Sequence, residues 1–169
     1  MPARLRQIVL YAVMILFQIV IGNSVYLGPV VYICFIPLLV MYLPLDQKPY
    51  ISMLIAFGLG LAIDIFSDGV LGLNAGAATL LALLYKPLFY PVFQKNNYSK
   101  TYIPTVRESD IWHHLLYLLI LFAIYFLFYI AFDGVAKTSL LVSLTRYLIC
   151  IAVNLAIAIA FDVTLFNKS

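Results

Sequence analysis

Residues 57–86 read FGLGLAIDIFSDGVLGLNAGAATLLALLYK: two apolar runs rich in glycine and alanine, parted only by Ser67-Asp68-Gly69. Followed outward, they extend over Tyr50–Phe66 and Val70–Phe93. Each is then within the ~17–25 residues that carry a helix across a hydrocarbon core. A break of three residues leaves room only for a tight connection, so this stretch predicts two successive membrane-spanning helices.

The rest of the chain has the same character. Of 169 residues, 65% are hydrophobic and 10% charged, against about 25% charged in a soluble domain. Its mean hydropathy is +1.06. So few charged side chains cannot cover a soluble domain of this size, and disorder, coiled coil, collagen and a secreted disulfide scaffold fall with it. Cys34 and Cys150 both lie inside apolar runs and read as small buried residues rather than a disulfide or metal ligands. Arg4 and Arg6 before Ile8–Ile21 imitate a signal peptide, but Gly22-Asn23-Ser24 is a poor cleavage site and more apolar chain follows. The run is kept as the first span.

Six runs separate, at about residues 5–22, 25–43, 50–66, 70–93, 111–132 and 139–166. They predict an all-α polytopic membrane protein: a six-transmembrane-helix bundle forming one domain over residues 1–169. The weakest boundary lies between the first two runs, so five helices with a re-entrant hairpin is the alternative. With six spans, Arg4, Arg6, Lys48, Lys86, Lys95, Lys100, Arg107 and Lys168 fall on one side and only Lys137 on the other. That bias places both termini in the cytoplasm. Tyr42, Tyr50, Tyr85, Tyr90 and Trp112 fall near the same interface. The net charge of +3 sits beside spans and gives no reason to expect nucleic-acid binding. The only sizeable polar segment, 94–114, includes Lys95, Lys100, Arg107 and Trp112 as candidate contacts for lipid headgroups or a cytoplasmic partner. Within it Thr105 and Glu108 have capping-box spacing, which predicts that the fifth helix begins before the membrane.

An ionisable residue inside a span costs on the order of 2.5–3.5 kcal/mol on insertion scales and needs a reason. Asp64 and Arg146 are the two clear cases, and both fall in the outer third of the membrane. An Asp64–Arg146 ion pair, outward snorkelling of each, and a ligand or proton site are the three readings open. Asn74 lies near the same layer and Asn154 deeper, and both read as interhelical hydrogen-bonding residues. Ala56, Gly60 and Asp64 share one face, Gly58 and Ala62 form another small pair, and Gly72 and Gly76 follow on the next helix. Such faces let helices approach closely, either within the bundle or toward a partner's helix.

Catalysis finds no support in the residues. Asp64-x-x-x-Asp68 lacks the further carboxylates of a metal-dependent phosphotransferase, and His113-His114 are adjacent on a helix rather than one turn apart. No phosphate loop, nucleophile elbow or zinc signature stands out, so no catalytic residue, cofactor or metal is expected.

The pattern Gly60-x-x-x-Asp64 followed by Gly72-Leu73-Asn74-Ala75 resembles that of the bacterial rod shape-determining protein MreD family. Length, span count and the near-absence of soluble loops are similar too. The resemblance implies a non-enzymatic scaffold of the cell-elongation machinery for peptidoglycan synthesis, in the plasma membrane, maintaining rod shape. The implied partners are membrane lipid, an MreC-like bitopic protein, a RodA-type glycosyltransferase, a class-B penicillin-binding transpeptidase and the MreB cytoskeleton. That family is similar in fold to the substrate-binding subunits of energy-coupling-factor transporters, which supplies the alternative: an importer subunit for a vitamin or metal.

Overall fold

The computed structural model describes residues 3–24, 31–45, 47–68, 70–93, 111–133 and 139–166. Among them every regular element is helical: α1 (Ala3–Ser24), α2 (Ile36–Met41), α3 (Pro49–Ile63), a π-helical turn (Asp64–Asp68), α4 (Leu73–Phe93), α5 (Ile111–Phe132) and α6 (Leu140–Phe166). Four stretches are long and apolar enough to cross a membrane: Pro49–Phe66, Leu73–Phe93, Ile111–Phe132 and Leu140–Phe161. Within α1, Tyr11–Gly22 is apolar. The chain is an all-α membrane protein.

The α3–α4 hairpin is the tightest joint. Gly60 faces α4 so closely that an added Cβ would lie 2.6 Å from the Ala75 backbone and from the Asn74 carbonyl oxygen. Ala56, Gly60 and Asp64 are all buried along that face, so this small-residue stripe serves packing inside the bundle. Gly58 is exposed with nothing within 4 Å of an added Cβ, and Ala62 is half-buried. Gly76 lets α4 meet α5 at Phe128, 3.4 Å from the position a Cβ would take. Next, α5 packs on α6, while α2 lies against α3, α4 and α5. Between them sit Tyr85, Tyr117, Phe122, Tyr125 and Phe126, all fully buried.

The run 25–43 departs from expectation. It is not one membrane-length helix: residues 31–35 are non-helical, and only Ile36–Met41 winds into a short one. Cys34 through Leu43 are buried. The apolarity of this run reflects burial in protein rather than exposure to lipid, and hydropathy cannot tell the two apart. Non-helical backbone at membrane depth is tolerated only where protein supplies its hydrogen-bond partners, and here protein does so.

Candidate functional site

The turn between α3 and α4 is built around one carboxylate. Asp64 is fully buried and closes α3. Its Oδ2 accepts from the Gly72 and Ala75 backbone N–H groups at 2.9 and 3.1 Å. Its Oδ1 accepts from the Asn74 N–H and from Asn74 Nδ2, each at 2.9 Å. Four donors thus converge on one side chain, and three of them are backbone N–H groups that open α4 and lack helical acceptors. The negative charge also lies at the positive end of that helix's dipole. Gly72 adopts φ +94°, a left-handed conformation that lets the chain turn back beneath the carboxylate.

Of the three readings open for Asp64 and Arg146, the mutual ion pair is not formed. Arg146 Nη1 instead lies 2.7 Å from Asp133 Oδ2, with both side chains largely buried. Depth along the membrane made Asp64 a match for Arg146, but depth does not fix which helices are neighbours. Asp133 directly follows α5, the helix against which α6 packs. It is therefore within reach of an arginine near the start of α6.

From Asp64 the polar layer runs across the bundle. Asn74 Oδ1 accepts from the Tyr125 hydroxyl on α5 and from Tyr32 Oη at 3.3 Å. Tyr32 also stacks on Tyr129, with ring centroids 4.6 Å apart. The Cys34 thiol donates to the Tyr125 hydroxyl at 3.1 Å. Residues 32–35 are then gripped on two edges. On α6, Asn154 accepts from the Cys34 N–H at 2.6 Å and donates to the Tyr32 carbonyl at 2.7 Å. On α1, Gln18 accepts from the Phe35 N–H at 2.9 Å and donates to the Ile33 carbonyl at 2.8 Å. Each amide bonds a carbonyl and the N–H two residues further on, as a neighbouring strand does in a parallel ladder. The Tyr32 N–H donates to Cys150 Sγ at 3.4 Å. Both cysteines are buried and form no disulfide.

A second polar layer closes the other end of this segment. Tyr11 donates to the Tyr42 carbonyl at 2.8 Å, Tyr85 to the Pro44 carbonyl at 3.0 Å, and Lys86 to the Gln47 carbonyl. Ser52 Oγ lies 3.1 Å from the Tyr85 hydroxyl, and Tyr117 donates to the Tyr85 carbonyl at 2.7 Å. Asn74 and Tyr85 are eleven residues apart on α4, so the two layers are separated by about 16 Å along the helix. Residues 32–44 join them.

Of the residues singled out from sequence, Asp64, Asn74 and Asn154 belong to one network, whereas Arg146 belongs to a separate pair. Tyr50, Tyr90 and Trp112 are exposed as an interfacial belt requires, but Tyr42 and Tyr85 are buried inside the bundle. His113 lies beside Phe93, and His114 is buried. Lys95, Lys100, Arg107 and the Thr105–Glu108 capping box lie outside the described residues. Reading the sequence missed Gln18, Tyr32, Tyr125 and Asp133. Gln18 carried the same signal as Asn74 and Asn154, an amide inside an apolar run. The tyrosines stood out less, because thirteen are present.

No protein-family model, no curated protein and no solved structure matches the chain.

Proposed function

We propose that this protein is a non-catalytic scaffold of the bacterial cell-elongation machinery, similar in role to the MreD family, in the plasma membrane with both termini in the cytoplasm. The observation that carries the reading is how Asp64 is used. The residue at the centre of the family-like pattern accepts four hydrogen bonds from its own chain, and so works as a structural pin. Asn74 and Asn154 are likewise engaged within the bundle. An importer subunit would need polar groups of this kind to face a ligand.

The finer topology follows from lengths. Residues 31–43, a non-helical stretch followed by a short helix, cover at most about 25 Å. That nearly matches a hydrocarbon core of about 30 Å. Read as a sixth crossing beside five long helices, this segment keeps both termini on one side, and the basic residues place that side in the cytoplasm. The partners in this reading are an MreC-like bitopic protein, a RodA-type glycosyltransferase, a class-B penicillin-binding transpeptidase and the MreB cytoskeleton.

The test is affinity purification in mild detergent at native expression, with mass spectrometry of proteins and small molecules together. The scaffold reading expects a bitopic partner with wall synthases. A retained vitamin or a copurifying ATPase module would replace it with the importer reading.

A further inference from the structure

Among its described side chains, α1 buries only Met14 and Gln18 fully, while Val9, Val13, Leu16, Phe17 and Val20 are exposed. Its polar anchors are Tyr11 and Gln18, and both bond to the backbone of residues 33–42. Phe17 adds an aromatic contact to Phe35 at 5.6 Å and to Phe161 on α6 at 6.1 Å. The opposite edge of the same segment is held by Asn154, independently of α1. In lipid, separating two helices exposes no apolar surface to water, so packing and interhelical hydrogen bonds carry the association.

We propose that α1 is a displaceable cover over residues 33–42, latched by Gln18 and Tyr11, and that the protein has a second conformation in which α1 has swung away while Asn154 keeps the segment in place. The geometry assigns the two edges different jobs. Asn154 fixes the segment to the body of the bundle, and Gln18 fixes the cover to the segment. Opening would free the Ile33 and Tyr42 carbonyls and the Phe35 N–H toward the bilayer. These groups need partners at that depth, which makes the closed form the resting state. The proposal rests on geometry alone and does not depend on the scaffold reading.

Pulsed electron-electron resonance on the full-length protein in lipid nanodiscs tests it, with spin labels at Val13→Cys on α1 and Leu127→Cys on α5, both exposed. The native cysteines are buried. An interhelical hydrogen bond of this kind is worth about threefold in an equilibrium. Gln18→Leu, which removes two, should therefore raise the ratio of open to closed on the order of tenfold. The added population should lie at a separation changed by roughly a helix diameter, ~10 Å. Tyr11→Phe should raise the ratio about threefold, and it serves alone if the Gln18 variant does not fold. Asn154→Leu should leave the α1–α5 distance unchanged. Superimposable distributions for wild type and the folded α1 variants would overturn the proposal. So would an Asn154→Leu distribution that broadens as much as that of Gln18→Leu, because α1 would then be responding to general loosening.

Discussion

Replacing Asp64 by alanine is the sharpest perturbation of this bundle. The substitution removes the acceptor for the Gly72, Asn74 and Ala75 N–H groups and for Asn74 Nδ2. Loss of an ordinary N-terminal cap costs about 1 kcal/mol, because water takes over the freed donors. Here the Asn74 and Ala75 donors are buried in protein at membrane depth, and a stranded buried donor costs about 1–3 kcal/mol. Three such donors at the middle of that range, reduced for partial relaxation of the turn, give an expected loss of about 5 kcal/mol. Asp64→Asn keeps one carbonyl oxygen and turns an NH₂ toward the remaining N–H groups, so about half that loss is expected. The assay is reversible unfolding of the purified protein in mixed detergent micelles, followed by circular dichroism. Because it needs no partner, it separates a pin within the fold from a contact to another protein. An alanine variant within about 1 kcal/mol of wild type would refute the reasoning, since four bonds to a carboxylate cannot be worth so little in the absence of water.

Three further outcomes are expected. Gly60→Ala should lose about 1–3 kcal/mol in the same unfolding assay, because its Cβ meets backbone at 2.6 Å, whereas Gly58→Ala, with open space, should be neutral or slightly stabilising. Equal effects at the two sites would show that α3 and α4 do not meet as described. Removing one partner of the Arg146–Asp133 pair should cost about 3 kcal/mol, while Arg146→Met combined with Asp133→Leu should recover most of it. A double-mutant cycle without coupling would rule the pair out. Tyr85→Phe removes a hydroxyl that contacts both Ser52 and the Pro44 carbonyl, and should cost about 1–2 kcal/mol by unfolding, with no change in helix content by circular dichroism.

Membrane class, the helices over 50–66, 70–93, 111–132 and 139–166, and the packing role of Ala56 and Gly60 were all legible in residue pattern. They follow from hydropathy and from the steric fact that only small side chains let helices touch. The 25–43 run was misjudged because a segment buried in protein and one bathed in lipid have the same apolar composition. Asp64 was recognised as needing a partner, and its partners turned out to be three backbone N–H groups and the Asn74 side-chain amide, eight to eleven residues further on. Carboxylate-to-charge reasoning looks for another charged side chain and passes over them. For Arg146 the Asp64 pair, one of the three open readings, gives way for a related reason. Its partner in the structure, Asp133, directly follows α5, the preceding helix against which α6 packs.

Where its helices stop inside the bundle, the chain solves the same problem in two different ways. At Asp64 the solution is local, with an acid and the N–H groups it serves lying within eleven residues of each other. Such a turn can form as soon as α3 and α4 are in the membrane. At residues 32–35 the solution is remote, because one edge depends on Gln18 and the other on Asn154, which is 122 residues from Tyr32. That segment cannot be satisfied on both edges until α6 has been inserted. The α3–α4 hairpin is thus the part of the bundle able to form first, and residues 31–43 with their two clamps the part that settles last. The first arrangement ties the end of α3 directly to the start of α4. The second leaves the position of α1 resting on a few side-chain amide and hydroxyl bonds together with its packing on α3 and the π-helical turn.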